Sequence, residues 1–405
     1  MNIKAPKGTK DILPEEVASW QKIEEKALKL FNSAGVKEIR TPIIEDTLLF
    51  ERGVGDTTDI VNKEMYTFEK SDRSLTLRPE NTAGVVRAYL EHNMFRLSAP
   101  VKLWYKGPMF RYERPQAGRQ RQFHQIGMEM FGEKNSSADA ECISLAVQFL
   151  KNLGLNELTV ELNSLGCDEC RQKYREKLKN VLRPYLSELC EDCQTRFEKN
   201  PLRILDCKNE NCNRIFNSIS AEENWNKIDL CPECQEHYDS LKKYLEALNI
   251  KFIENPNLVR GLDYYTRTVF EIKSFNLGSQ NAVCGGGRYD NLVALMGGQP
   301  TPAVGWAMGV ERLNSLLPQK EQELSDYFIV SDNTTKAMKL ASELRNKNYS
   351  VEFDYSSRKF AKQLEKASKT AKNAIILGED EIKGNYLTIK DLSTSEQKKV
   401  QRNEI

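Results

Sequence analysis

Eight of the ten cysteines in this chain fall between Asn163 and Asn255. They come as Cys167-x-x-Cys170, Cys190-x-x-Cys193, Cys207 with Cys212, and Cys231-x-x-Cys234, amid Lys/Glu-rich sequence that reads as helices over Asp168–Val181 and Glu236–Leu248. Strand-like sequence precedes this stretch and returns after it at Thr268–Ile272, so the cysteine-dense segment interrupts a larger domain. A length of 405 residues also exceeds what one hydrophobic core organises. The expected division is a discontinuous large domain at 1–163 and 256–320, the insertion at 164–255, and a small α/β domain at 325–405. In the last of these, Tyr327–Val330, Ser350–Tyr355 and Ala374–Leu377 read as strands alternating with two helical stretches.

No apolar signal region follows Met1, and nothing approaches the ~18 consecutive apolar residues of a membrane span, so a cytoplasmic protein without a membrane partner is expected. In that compartment the cysteines are thiols or metal ligands rather than a disulfide framework. Paired knuckles are a general signal for zinc, with Cys190, Cys193, Cys231 and Cys234 as candidate ligands, but the spacing alone does not assign a metal. The alternative is a set of buried thiols packed as small hydrophobes. With 59 basic and 58 acidic residues, any nucleic-acid surface must be local.

A first helix is marked by Pro14 in its first turn, Glu15 and Glu16 at its positive end, and Val17, Trp20, Ile23, Ala27 and Phe31 at helical spacing before Gly35. Val36–Ile44 reads as a β-branched strand, and Pro42 within it favours an edge or a bulge, which makes it a candidate subunit contact. From Val101 to Phe131, two apolar, aromatic-rich runs flank a hydrophilic centre at Arg111–Arg121 that contains Pro115 and Gly118. That is the pattern of two antiparallel strands joined by a long basic loop. A glycine cluster at Gly285–Gly287 and a helix-like Val304–Leu317 follow, with Pro318 and Gln319–Ser325 as a linker.

Four segments carry side chains suited to chemistry. The basic loop sets Arg111, Arg114, Arg119 and Arg121 beside Tyr112 and Phe123. Planar guanidinium forks grip phosphate oxygens and an aromatic face stacks a base, although a solvated charged hairpin has the same composition. Arg78-Pro79-Glu80-Asn81-Thr82 offers a carboxylate and a hydroxyl two residues apart, suited to an ammonium group or, equally, to the start of a capped helix. Leu258–Thr268 places Arg260, Asp263, Tyr264 and Tyr265 in a glycine-hinged turn before a strand. Gly305–Leu313 alternates small residues, where a backbone can approach a ligand, and reaches Arg312.

In order and wording these segments resemble the histidyl-tRNA synthetases, a family of class II aminoacyl-tRNA synthetases, along nearly the whole length. The resemblance begins at Pro6-Lys7-Gly8-Thr9-Lys10-Asp11 and passes through a dimer-forming first motif around Pro42. It includes a second motif from Phe110 to Glu129 and a third at Gly305–Arg312, while Leu258–Thr268 and Gln125-Ile126-Gly127-Met128-Glu129 are its histidine-specific parts. The implied fold is of α/β (α+β) type: a mainly antiparallel catalytic sheet flanked by helices, an inserted helical module and a C-terminal α/β anticodon-binding domain. The implied activity is ATP-dependent conversion of L-histidine to histidyl-adenylate and its transfer to tRNA(His), by a homodimer using Mg2+.

By the same resemblance, Arg111 holds the α-phosphate, Glu113 orients ATP, Phe123 stacks on adenine, Arg119 meets the triphosphate, and Arg312 lies near adenine and the γ-phosphate. Arg260 sits by the α-phosphate opposite the attacking carboxylate, where related enzymes use a further metal ion, and is the principal catalytic candidate alongside Arg111. Glu80 and Thr82 bind the substrate's ammonium group, and Gln125 its amino or carboxylate end. Glu129 and Tyr265, with Tyr264 beside them in the histidine-binding set, face the two imidazole nitrogens; a neutral imidazole needs such an asymmetric pair. Of His92, His124 and His237, only His124 lies within a motif, and none is expected to act as a base.

In the last domain, Arg358, Lys359, Lys362, Lys366, Lys369 and Lys372 recur at helical spacing. This could be a solvated helix face, and the anticodon-binding domain that the resemblance places here favours the alternative of an RNA surface. Two other readings compete. A regulatory paralogue of the family, activating the first enzyme of histidine biosynthesis, is opposed by the retention of Glu129, Arg260, Tyr265 and Arg312. A non-catalytic zinc-dependent RNA-binding module leaves the Glu80 and Arg312 segments unexplained.

Overall fold

The computed structural model describes residues 3–402 except 56, 57, 59, 115–118, 224, 275–281, 319–323 and 357. Pro115 and Gly118 of the basic loop, and Gln319 with most of the linker, therefore lie outside the described residues. The chain divides into two compact units, Met1–Gln319 and Lys320–Ile405.

In the first unit, helix α1 (Pro14–Ser33) buries Trp20, Ile23, Ala27 and Phe31, the face its spacing predicts. The strand expected at Val36–Ile44 is broken: β1 is Lys37–Glu38 and β2 is Ile44–Asp46, with Pro42, which has no N–H for a ladder, in the gap. Helix α2 (Thr47–Val54) and the hairpin β3 (Tyr66–Lys70) and β4 (Arg73–Leu77) follow. Helix α3 (Thr82–Glu91) leads to the long antiparallel pair β5 (Val101–Phe110) and β6 (Gln122–Phe131), as expected. Next come α4 (Ser136–Asn152) and β7 (Leu158–Ser164). The cysteine-rich segment is helical, with α5 (Asp168–Leu182), α6 (Glu191–Lys199), α7 (Glu210–Glu223) and α8 (Pro232–Ala247). Strands β8 (Phe252–Glu254), β9 (Thr266–Ser274) and β10 (Ala282–Arg288), the short helix α9 (Leu292–Leu295), β11 (Ala303–Gly309) and α10 (Val310–Leu316) complete the unit.

Eight strands form one sheet in the order β1-β5-β6-β11-β10-β9-β7-β8. Its pairings are antiparallel except at the two ends, where β1 runs parallel to β5 and β8 to β7. Side chains alternate between the faces of such a sheet. Ile126, Met128 and Met130 of β6, Val304, Trp306 and Met308 of β11, and Phe270 and Ile272 of β9 join the main apolar core with residues of α1 and α4. The opposite face carries Phe123, Gln125, Gly127 and Glu129 of β6. Beside them in register stand Gly309, Ala307 and Gly305 of β11, then Gly285 and Gly287 of β10. One face is thus packed, and the other is nearly bare backbone.

The expectation of a helix over Val304–Leu317 is corrected by this register. Val304, Trp306 and Met308 alternate with Gly305, Ala307 and Gly309, a period of two, and β6 and β10 supply ladder partners on both sides. Only Val310–Leu316 is helical. The glycine cluster Gly285–Gly287 likewise lies inside strand β10. The inserted helices enclose a cluster of their own, in which Tyr174, Leu178, Phe197, Ile204 and Trp225 pack among cysteines. Helix α8 also reaches the main core through Tyr238, Leu241 and Leu245.

The second unit contains β12 (Ser325–Val330), α11 (Thr334–Asn346), β13 (Val351–Phe353), α12 (Phe360–Thr370), β14 (Ala371–Ile376), α13 (Glu379–Gly384), β15 (Tyr386–Asp391) and β16 (Gln397–Gln401). Its sheet has the order β13-β12-β14-β15-β16, parallel across the first three strands and antiparallel across the last three. The basic residues flank and occupy α12. Several are paired: Arg358 with Asp354 at 3.5 Å, Lys369 with Glu365 at 3.0 Å and Lys372 with Asp326 at 2.8 Å. Among the described residues, no helix is long and apolar enough to cross a membrane.

Candidate active site

The nearly bare face of the large sheet floors a cavity of 430 Å³. Arg111, Glu113, Arg119, Phe123 and Arg312, the whole set assigned to ATP from the sequence, line it together with Gln125 and Arg260. Arg111 follows β5; its Nε donates to the Pro79 carbonyl at 2.8 Å, and its guanidinium lies 5.2 Å from the Phe123 ring centroid. Glu113 sits between two cations, 3.8 Å from Arg111 and 3.2 Å from Arg119. Arg312 projects from α10, where Nη1 donates to the Ala282 carbonyl. Burial and the nearby Arg119 charge both lower its pKa, the condition of a cation that an incoming anion would relieve.

Arg260 donates to Glu271 of β9, and a Cβ at Gly285 would collide with its guanidinium, so only glycine leaves it room. Its carbonyl accepts from Arg203 Nη1 at 2.9 Å. Arg196 and Arg203, both from the insertion, bring the arginines around the cavity to six. Sequence reasoning missed these two because nothing in the insertion's composition says which of its surfaces meets the sheet. It also missed Glu271, the counter-ion of Arg260.

Glu80, Thr82, Glu129, Tyr264 and Tyr265 stand outside the walls of this cavity, in a buried polar cluster that β6 joins to it. Glu129 is 1% exposed. Its carboxyl accepts from Thr82 Oγ1 at 2.8 Å, from Tyr289 Oη at 2.5 Å and from Tyr105 Oη at 3.4 Å. A Cβ at Gly305, its register partner, would overlap this carboxyl. Burial above all, with the Glu80 charge acting in the same direction, pushes Glu129 up to about 8. Both oxygens of Glu80 accept backbone N–H groups at the start of α3, from Thr82 at 2.7 Å and Ala83 at 2.9 Å, so the capping role is realised. The rings of Tyr264 and Tyr265 lie 4.7 Å apart, and Tyr264 meets Tyr289 at 5.6 Å. Between cavity and cluster, the side-chain oxygen of Gln125 is buried with no hydrogen-bond partner, a vacant acceptor beside the cavity it lines. Tyr105 and Tyr289 were not singled out from sequence, where each reads as a core aromatic.

Each of the two histidines near the sheet lies beside a carboxylate. His124 Nδ1 is 3.0 Å from Glu311, and His237 lies 3.5 Å from Asp139. Burial first, then the charges of Arg288 and Arg267, push His237 down to about 4. Asp139 itself is fully buried, paired with Arg288 and accepting from Thr268 Oγ1 at 2.6 Å. The four candidate zinc ligands do not share one site. Cys190 and Cys193 gather with Cys207 and Cys212, whereas Cys231 and Cys234 gather with Cys167 and Cys170, and all ten cysteines are free thiols. Local spacing identifies each pair but not which pairs meet.

A largely antiparallel sheet whose glycine-rich face carries an arginine-lined cavity, with a buried polar cluster beside it, defines a class II aminoacyl-tRNA synthetase catalytic domain. The chain belongs to the histidyl-tRNA synthetase family, which matches residues 8–313, and an anticodon binding domain matches residues 318–405. The histidine–tRNA ligase of Aquifex aeolicus is 50% identical over 410 residues, spanning 100% of both chains. That of Acetivibrio thermocellus is 49% identical over 411 residues, 99% of this chain and 97% of its own. The crystal structure of apo S. aureus histidyl-tRNA synthetase matches with a TM-score of 0.81 at 37% identity, covering 99% of this chain and 98% of that one. A Bacillus halodurans structure, an ATP phosphoribosyltransferase regulatory subunit/histidyl-tRNA synthetase, shares the fold at 22% identity, with a TM-score of 0.68 over 93% of this chain and 99% of that one.

Proposed function

We propose that this chain is a histidine–tRNA ligase that adenylates L-histidine in the cavity over the glycine-rich sheet and transfers it to the 3′ end of tRNA(His). The observation that carries this reading is the convergence of Arg111, Glu113, Arg119, Phe123 and Arg312 on one cavity, with Arg260 and Gln125 between them and the Glu129 cluster. In the first step the histidine carboxylate attacks the α-phosphorus of ATP and pyrophosphate leaves. That reaction needs positioning and stabilisation of charge on the non-bridging oxygens more than a general base. Arg111 and Arg260 supply that charge. Phe123 stacks on the adenine, while Arg119 and Arg312 take the β- and γ-phosphates.

Glu129 accepts from the N–H of the imidazole and Tyr265 serves the other nitrogen, with Tyr264 packed against it. The vacant Gln125 oxygen and the Thr82 hydroxyl face the ammonium end together with Glu80. An analogue lacking a ring nitrogen forfeits the hydrogen bond to Glu129 or Tyr265, and a site built to hydrogen-bond a substrate N–H rejects an analogue without it by about 10⁴ or more. Oxygen-rich donors suit Mg2+, and the carboxylates of Glu113 and Glu271 line the cavity, so the site fits the nucleotide's metal. When bound, that ion neutralises phosphate charge. In the second step the terminal ribose hydroxyl of tRNA attacks the activated carbonyl and AMP leaves. The enzyme works as a cytoplasmic homodimer, and Lys320–Ile405 reads the anticodon.

ATP–pyrophosphate exchange across all twenty amino acids, without tRNA, tests the reading. Exchange with histidine alone is expected. Exchange with no amino acid, in a folded protein, would move the assignment to the regulatory paralogue.

A further inference from the structure

The proposed chemistry uses none of the ten cysteines, and eight of them lie in the insertion. They form two quartets, Cys167, Cys170, Cys231 and Cys234, and Cys190, Cys193, Cys207 and Cys212, in each of which every sulfur lies within 4.8 Å of the others. Zinc held by four thiolates at ~2.3 Å places the sulfurs at the corners of a tetrahedron with edges of ~3.8 Å. Cys167 and Cys170 are 3.6 Å apart at sulfur, and Cys190 and Cys207 are 3.8 Å apart, far outside S–S bonding distance. Backbone amides point at the sulfurs as well: Cys231 N–H to Cys170 at 3.2 Å, Cys190 N–H to Cys212 at 3.3 Å and Asn209 N–H to Cys207 at 3.4 Å.

We propose that the insertion binds two zinc ions, one in each four-cysteine site, and that both are structural. Each thiol passes its proton to solvent as it becomes a ligand, and four protein ligands leave no open position for catalysis. The two sites hold different parts of the module. Cys167 and Cys170 stand at its entry and Cys231 and Cys234 precede its return, so the first ion staples the two ends together. Arg171, one residue beyond Cys170, donates to the Tyr265 carbonyl at 2.6 Å. The second ion closes the segment from Cys190 to Cys207, which carries Arg196 and Arg203 to the catalytic cavity. Asn200 of that segment also donates to Asp263 at 2.8 Å. A module with a small apolar core gains most from such staples.

The full chain, reduced and freed of metal by a chelator, is titrated with zinc and separately with cobalt(II). Two equivalents are expected, with the visible absorption of tetrahedral cobalt and thiolate charge-transfer bands in the near ultraviolet. Cys193→Ser and Cys234→Ser should each lower the stoichiometry from two to one, and the double variant should bind none. If the variants fail to fold, thiol-reagent kinetics on the unmodified chain decide, because zinc should protect eight thiols and chelator should expose them. Fewer than two equivalents in the unmodified chain, or equal thiol reactivity with and without zinc, overturns the proposal. So does a mass deficit that reductant restores, which would mean disulfides. None of these readouts depends on aminoacylation.

Discussion

Replacing Glu129 with glutamine exchanges one carboxyl oxygen for an amide nitrogen and leaves the side-chain volume almost unchanged. Burial holds this carboxyl at about 8 against an ordinary 4.5, so in the empty protein it is mostly protonated at neutral pH. A carboxylic acid and a carboxamide then offer nearly the same hydrogen-bonding faces, and the hydroxyls of Thr82 and Tyr289 can turn to suit either. The two proteins should therefore be similarly stable at acid pH, and they should diverge above it. With the folded pKa raised, the folded state carries a proton that the unfolded chain has lost between 4.5 and about 8, so stability falls as pH rises through that window. Glutamine has no such loss. By about pH 8 the variant should exceed the parent by up to ~5 kcal/mol, since each pH unit crossed in that window costs the parent ~1.4 kcal/mol. Its ligand binding should move the other way. Above about pH 8, where the carboxyl is ionised, the imidazole N–H loses a charged acceptor worth about 1.5–3 kcal/mol, a weakening of histidine binding of roughly 10- to 150-fold, while ATP, in a cavity that Glu129 does not line, binds as before. Urea denaturation across the window and calorimetric titration with each substrate measure both effects. Parallel stability curves for the two proteins, or equal losses for histidine and ATP, would overturn this account of Glu129.

Arg260→Ala should lower kcat in pyrophosphate exchange by on the order of 10²–10³ with little change in the KM for histidine, because its charge acts on the transition state. Unchanged turnover would remove it from the catalytic set. Tyr289→Phe deletes a hydrogen bond that lowers the Glu129 pKa, so the pH profile of histidine binding should shift to higher pH; a profile that stays in place would assign the titration to another group. Arg288→Met leaves Asp139 buried without its partner and should cost about 3–5 kcal/mol by denaturant midpoint. Adding Asp139→Asn should recover much of that loss, and failure to do so would mean that the pair acts through packing rather than charge.

What the sequence made legible was periodic or lexical. The apolar stripe of α1 and the long pair β5 and β6 rest on local patterns, and the structure agrees with both, while the residues assigned to ATP from motif wording line one cavity. Val304–Leu317 reads as a helix because its small residues fit helix packing as well as a strand; the choice between periods of 3.6 and two is made by β6 and β10, which lie far off in sequence. Pairing of the cysteine knuckles is hidden for the same reason. Cys170 and Cys231 meet across the whole insertion, and no spacing encodes that contact. Tyr289 is a further case, since its role comes from touching Glu129 across the sheet face.

The same nearly bare sheet face explains why the polar residues above it hold one another. Gly285 and Gly305 remove the side chains that would otherwise occupy that space, so Arg260 and Glu129 lie directly against backbone, where few water molecules can solvate them. Charges in such a place persist only with partners. Arg260 has Glu271, Arg111 and Arg119 share Glu113, and Glu129, lacking a cation, keeps its proton instead. On the proposed reading, ATP entering this cavity would exchange one partner for another at Arg111, Arg119 and Arg260, and the net gain at each of those contacts would be correspondingly small. Binding energy is then concentrated where the partner exchange is most favourable, at the pentavalent phosphorus, whose equatorial oxygens carry more charge than the ground-state phosphate. The internal ion pairs hold Arg111, Arg119 and Arg260 in position, and on the proposed reading they would also limit how strongly the site retains pyrophosphate.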